Sequence, residues 1–492
     1  MKGSLLSRVD SRLIGLFLVG ILFFLSYRTS KFLGVHLFGG FFALLIMGLL
    51  CLLVWVLFQK EAFRAKDDPE SLKLGTFESS LPGFGGEPFF LQPSKIRHVL
   101  VTGVTGSGKS TFIRRYIDEI LRTGKRFCYF DFKGEQKDHE ENIRICEFRG
   151  VRDELQIFDL SDPKNCLGCN LLTINRGVEE TVGFIIGLFF GDDANEYYRN
   201  EAERFLRFSI QLLDASGTKR NFIHINEIYS HPSARATLLN VALKRVDPTE
   251  AFFLYFESEF DQLSARDRSE RFSGFTAILS SFLSEPFRTI FNGLGKKELN
   301  IAEMFDKNIP TIIRVPGEAY GELSVRIIQS FIQLIPVLLA RRRLEENRSD
   351  YFVLLDEGCS YVNETLSDIL KKAGSAQVKV LLTRMSDADF DSVAPSFLGK
   401  MLSAFSVFVC FQTNDPDTRE TMSRLSMTLD DVKFTAKIGS EGETGEGSRR
   451  DVQRFTIHPT SFGRLRTGEC YVIAPSLNIF RKAQVSPARS LS

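Results

Sequence analysis

The run Gly103-Val-Thr-Gly-Ser-Gly-Lys109-Ser110 sets glycines, a lysine and a hydroxyl at the spacing of a phosphate-binding loop. Backbone N–H groups from Gly103 to Gly108, with Thr105, Gly106 and Ser107 in the turn, can close around a β-phosphate. Lys109 can reach the β/γ oxygens, Ser110 offers a hydroxyl to Mg2+, and Thr111 opens a helical pattern whose N-terminus points at the phosphates. A second constellation lies far downstream, where the apolar run Tyr351-Phe-Val-Leu-Leu355 ends in Asp356-Glu357. A buried strand ending in two carboxylates can hold Mg2+ through Asp356, while Glu357 orients and deprotonates an attacking water. ATP with Mg2+ is the expected ligand pair, and Lys109, Asp356 and Glu357 are the candidate catalytic residues. Gly103, Thr105, Gly106, Ser107, Gly108, Lys109, Ser110 and Thr111 form the candidate nucleotide cradle, with Ser110 and Asp356 as metal ligands.

These residues need rigid supports. The apolar His98–Thr102 predicts a buried strand feeding the loop, and Thr111–Leu121 carries helical spacing after it. Further strands are expected at Arg126–Phe130 ending in Asp131, Leu155–Phe158 ending in Asp159, Ile309–Val315, Val378–Thr383 and Phe405–Phe411. Alternation with helices predicts a parallel α/β sheet whose loops gather at the strands' carboxyl ends. Between about 181 and 295 the pattern is helical only (Glu196–Leu213, Ala234–Val246, Ala265–Leu283), which predicts an inserted all-α domain. Glu61–Pro93, Gly- and Pro-rich, is expected to be a linker, and Gly439–Gly447 a mobile loop. Arg384 and Arg419 are candidate phosphate sensors or arginine fingers, with a surface or salt-bridge role as the alternative.

The chain has 62 basic and 61 acidic residues. That balance excludes a global field for nucleic acid or membrane, so any DNA contact must be local. Cys166-Leu-Gly-Cys169 alone has metal-ligand spacing, without a second pair to complete a zinc site, and incidental loop thiols fit better. Leu13–Ser26 and Phe32–Phe58 are apolar. The second exceeds the roughly 20 residues that cross a bilayer, so a transmembrane hairpin over 1–60 is expected, with the remainder cytoplasmic where ATP is available.

The order of motifs resembles the type IV coupling proteins of conjugation and type IV secretion (TraD/TraG-like), within the FtsK/HerA-like group of motor ATPases. The match rests on the two N-terminal apolar spans, the loop at Gly103–Ser110, Tyr129-Phe-Asp-Phe-Lys-Gly-Glu135, Cys169-Asn-Leu-Leu172, the helical stretch, Asp356-Glu357 and Asn414-Asp415-Pro416. Thr383-Arg384-Met385 stands where the family carries Thr-Gln-Ser, and Asp131-Phe132 where Asp-Pro is common. The resemblance implies a RecA-like P-loop core in two parts (61–180 and 296–492) around the all-α domain (181–295). It also implies a hexameric ring in the bacterial inner membrane with ATP sites between subunits. Its partners would be type IV secretion channel components, membrane lipid, and DNA with a relaxase or an effector protein. A receptor that loads effectors, or an FtsK/HerA-like DNA motor, are the alternatives.

Overall fold

The computed structural model describes residues 69–79, 86–174, 177–190, 195–346, 348–361, 365–391, 393–394, 396–439 and 442–491, together with Gly48. The expected transmembrane hairpin over 1–60 therefore lies outside the described residues, apart from Gly48. Glu70–Ser492 forms one compact unit.

Strands are numbered β1 (Leu72–Phe77), β2 (Pro88–Leu91), β3 (Val99–Thr102), β4 (Arg126–Asp131), β5 (Gln156–Asp159), β6 (Thr311–Arg314), β7 (Tyr351–Asp356), β8 (Val378–Arg384), β9 (Val407–Cys410), β10 (Thr428–Gly439), β11 (Gly442–Phe455), β12 (Glu469–Ala474) and β13 (Ile479–Val485). Among the described residues, an eleven-stranded sheet runs in the order β2-β1-β13-β12-β9-β3-β8-β7-β4-β6-β5. From β9 to β5 the pairing is parallel. One strand, β8, separates the strand that feeds the phosphate loop from the strand that ends in Asp356.

The sheet is mixed, which corrects the expectation of a purely parallel one. The four strands at the other edge pair antiparallel, including β12 on β9. Two of them, β1 and β2, occupy the segment expected to be a linker. Leu72, Leu74, Phe89 and Leu91 are fully buried there, and the strands are held by β13 from the far end of the chain.

Central strands are apolar on both faces because both are covered. Val99 and Val101 of β3 point to one face with Tyr129 and Leu354, and Leu100 points to the other with Phe130 and Leu355. Helix α1 (Lys109–Arg122) buries Phe112, Ile113, Tyr116, Ile117 and Ile120 on the first face, one stripe at helical spacing. Helix α2 (Gln136–Phe148) follows β4.

Every element from Val178 to Phe291 among the described residues is helical: α3 (Val178–Phe189), α4 (Glu196–Ser216), α5 (Phe222–Ser230), α6 (Pro232–Ala242), a short turn at Ala251–Leu254, a π-helix at Tyr255–Phe260, α7 (Ala265–Leu283) and α8 (Phe287–Phe291). Stacked rings such as Phe189 on Phe282 and Phe205 on Phe260 fill this layer. The layer shares one continuous core with the second face of the sheet. Helix α9 (Glu322–Arg342) is long and apolar enough to cross a membrane, but Ile327, Ile328, Phe331 and Leu339 bury it in that same core. Helices α10 (Thr365–Ala373) and α11 (Phe397–Ala404) follow.

Helices α12 (Pro416–Leu425) and α13 (Pro459–Gly463) flank the β10–β11 ribbon, a separate two-stranded sheet. Its pairing runs from Thr428↔Phe455 to Gly439↔Gly442. The expected Gly439–Gly447 loop is thus mostly strand. Glycine- and glutamate-rich composition hides a backbone ladder, because main-chain hydrogen bonds do not need apolar side chains.

Candidate functional site

The chain leaves β3 between its two parallel neighbours. Gly103 N–H donates to Arg384 O (3.2 Å) at the end of β8, and Val104 N–H donates to Gln412 O (2.9 Å) beyond β9. Ser107, buried, donates its hydroxyl to Val104 O at 2.7 Å and so closes the turn, whose Thr105 and Gly106 tip is exposed. Gly108 sits at φ 120° and caps α1, and a Cβ there would lie 3.0 Å from Gly468 Cα. Only glycine combines that backbone angle with that approach.

Lys109 folds over the loop, its Nζ donating to Gly103 O (2.6 Å) and Val104 O (3.1 Å). Ser110 and Thr111 lie half-buried in the first turn of α1. Burial lowers the Lys109 pKa, while the fields of Asp356 and Glu357 act in the opposite sense. Two segments far apart in sequence are therefore brought together at the carboxyl ends of the central strands β3 and β7.

Asp356 is 4% exposed. Its carboxylate accepts from Thr383 Oγ1 (2.7 Å), Tyr129 OH (3.0 Å) and Glu357 N–H (3.1 Å). Burial pushes its pKa up, and the hydrogen bonds from Thr383 and Tyr129, with the Lys109 charge, work against that rise. Glu357 has left-handed backbone, φ 48° and ψ 37°. That conformation costs a non-glycine residue roughly 1–2 kcal/mol and re-aims the side chain at the strand's end. Burial, then Asp356, raise the Glu357 pKa, against the fields of Lys133 and Lys109. A raised carboxyl is a better proton acceptor near neutral pH.

Tyr129, Thr383 and Lys133 complete the surroundings of the two carboxylates, and no motif in the sequence assigns them that place. Tyr129 on β4 and Thr383 on β8 flank Asp356 from both neighbouring strands, a register that no local pattern reveals. Lys133, in the Asp131–Glu135 turn, pairs with Glu135 at 2.7 Å, and its field reaches Lys109, Asp356 and Glu357. Asp131 sits opposite Asp356 in the β4–β7 register. Burial pushes its pKa up to about 7, although it accepts from Gly134 N–H at 2.9 Å and faces Arg314 at 3.6 Å. Arg314 also pairs with Asp159 at 2.9 Å, tying the ends of β4, β5 and β6 together.

Arg384 does not face this site from solvent. It is 1% exposed, donates from Nε to Thr102 Oγ1 (3.1 Å), pairs with Asp387 at 2.5 Å and stacks on Phe390. A guanidinium so enclosed cannot be donated across a subunit boundary. Arg419 on α12 donates from Nε to Thr413 O at 2.7 Å and lies against Gly463. Cys166 and Cys169 are free thiols buried in the core, not in an open loop, and burial raises their pKa values.

The family description Helicase HerA, central domain, matches residues 82–231. No curated protein matches the sequence. Among solved structures, the unbound bacterial conjugative coupling protein TrwB superposes with a TM-score of 0.59 at 18% identity, covering 84% of this chain and 88% of that one. TrwB in complex with ADP and Mg2+ gives 0.56 at 18%, covering 85% and 95%. VirB4 of Thermoanaerobacter pseudethanolicus gives 0.53 at 10%, covering 86% and 98%. Residues 82–231 thus match the HerA central domain, and over more than four-fifths of its length the chain shares the α/β fold of TrwB and VirB4.

Proposed function

We propose that this chain is a Mg2+-dependent ATP hydrolase that works as a coupling protein at the bacterial inner membrane, driving DNA with an attached relaxase into a type IV secretion or conjugation channel. The observation that carries the reading is that the phosphate loop after β3 and Asp356-Glu357 after β7 stand at the carboxyl ends of parallel strands separated by β8 alone. The residues fit a magnesium nucleotide. Asp356 is a desolvated carboxylate whose burial disfavours its charge, a cost that a bound cation offsets, and Gly108 has no side chain to fill the cradle. Ser110 and Asp356 would hold Mg2+, which supplies charge neutralisation on the β/γ-phosphates when bound.

This chain's own residues do the rest. Gly103, Thr105, Gly106, Ser107, Gly108 and Thr111 present N–H groups around the phosphates, and Lys109 exchanges its loop carbonyls for phosphate oxygens. Glu357 accepts the proton of the attacking water. Thr383, bonded to both Asp356 and the Glu357 N–H, keeps metal ligand and base in fixed relation.

In this reading residues 1–60 anchor the protein in the membrane, 61–180 and 296–492 form the nucleotide-binding core, and 181–295 act as the all-α substrate-contacting part of a hexameric ring. The likeness to TrwB, described as a conjugative coupling protein, supports the DNA cargo. Salt-dependent binding of single-stranded DNA by the full-length protein tests it, with a steep fall in affinity as salt rises expected for phosphate contacts. No binding at low salt shifts the cargo to protein effectors. The HerA match over residues 82–231 favours one second reading, a HerA-like DNA motor outside secretion. Loss of conjugative transfer in a deletion strain would decide for the coupling protein.

A further inference from the structure

The sheet order gives the bound nucleotide a direction. Asp356 and Glu357 stand at the end of β7, on the β8 side of β3, so the γ-phosphate end belongs there. The nucleoside end must then run to the opposite side of β3, over β9 and β12. What lies there is the Arg464-Leu-Arg466-Thr-Gly468 turn that leads from α13 into β12.

This turn is bonded directly to the phosphate loop, 361 positions away by residue number. Gly468 N–H donates to Ser107 O at 2.9 Å, and a Cβ on Gly108 would meet Gly468 Cα and N at 3.0 Å. Gly468 holds φ +82°, and its own carbonyl accepts from Val485 N–H at 2.9 Å, which pins the turn to the antiparallel edge. Glu469 braces the turn from below, accepting from Arg466 N–H at 2.8 Å and pairing with Lys482 at 2.9 Å. The Arg466 backbone is therefore fixed. Its side chain is exposed, and among the described residues its guanidinium makes no hydrogen bond or ion pair. Cα atoms two residues apart lie within about 7 Å of each other, and an extended arginine side chain spans a similar distance. The guanidinium can thus reach the mouth of the cradle past Gly468.

We propose that the Arg464–Gly468 turn forms the nucleoside end of the ATP site, with Arg466 contacting the α-phosphate of a nucleoside di- or triphosphate. This rests on the nucleotide reading above and deepens it. A fixed backbone with a planar, permanently charged donor suits phosphate oxygens, and desolvation by the bound nucleotide strengthens the contact. An α-phosphate contact is shared by ATP and ADP, whereas an arginine acting on the γ-phosphate of a neighbouring subunit would leave ADP untouched.

Calorimetric titration of the full-length protein with ADP and with the non-hydrolysable analogue ADPNP, both with Mg2+, separates these cases. Arg466→Ala is expected to raise both Kd values about tenfold and to raise the KM for ATP alike, with kcat at saturating ATP and the thermal midpoint unchanged. Arg466→Lys, which keeps the charge but not the fork, is expected to recover most of that loss. Wild-type ADP affinity in Arg466→Ala overturns the proposal, as does a fall in kcat with unaltered ADP binding. Failure of the wild-type protein to bind either nucleotide would instead overturn the nucleotide site itself.

Discussion

Thr383→Val is the most informative single perturbation of the supports around Asp356. The hydroxyl donates to Asp356 Oδ1 at 2.7 Å and accepts from Glu357 N–H at 2.8 Å, so one atom holds both candidate chemical groups. Valine keeps the volume and removes the hydroxyl. A buried hydrogen bond to a charged acceptor is worth about 1.5–3 kcal/mol. The Glu357 N–H retains Asp356 Oδ1 at 3.1 Å, so the second loss adds little. Carried wholly by the metal-bound state, a net cost of about 2 kcal/mol sets an upper bound of roughly 30-fold on the weakening of Mg2+-dependent nucleotide binding. Because the Thr383 bond lowers the Asp356 pKa, its removal raises that pKa further and lets protons compete better with the metal. The assay is ADP affinity as a function of Mg2+ concentration, with Thr383→Ser as the variant that keeps the hydroxyl. Identical Mg2+ dependence for wild type and Thr383→Val would refute the reasoning.

Three further outcomes follow from particular side chains. His98 accepts from Val380 N–H at 3.0 Å on Nδ1 and lies 2.9 Å from Leu370 O through Nε2, an arrangement that needs the neutral ring. Burial lowers its pKa to about 4, so its contribution is present above pH 6.5 and is lost as pH falls through 4. Chemical denaturation across that window should show a loss of about 3 kcal/mol that His98→Gln reduces. Arg384→Met leaves Asp387 buried without its partner, and should lower stability by about 3 kcal/mol or more, read as an unfolding midpoint. Normal stability with a selective loss of kcat would restore Arg384 as a sensor. Gly108→Ala places a Cβ against Gly468 at a positive φ, and should weaken binding of ATP and ADP equally, read by titration.

The phosphate loop was legible because its chemistry is local: consecutive N–H groups, one lysine and one hydroxyl follow from eight adjacent residues. Asp356-Glu357 was legible because a fully buried parallel strand reads as an unbroken apolar run. Their supports were not. Tyr129 and Thr383 reach Asp356 only through the order of β4, β7 and β8, which periodicity does not encode. The same holds for β1 and β2, whose partner β13 lies at the other end of the chain and whose short runs are interrupted by Gly75 and Pro88. Arg384 shows a different limit. A strand-end arginine beside a phosphate loop reads as a sensor until Asp387 and Phe390 are seen to enclose it.

The central claim is that Lys109 and Glu357 serve one bound ATP, the first by holding it and the second by activating water. Steady-state hydrolysis measured beside nucleotide binding, on wild type, Lys109→Ala and Glu357→Gln, tests this most directly. Wild type should hydrolyse ATP, Lys109→Ala should fail to bind it, and Glu357→Gln should bind normally while turning over at least about a hundredfold more slowly. Wild-type turnover by Glu357→Gln would contradict the account.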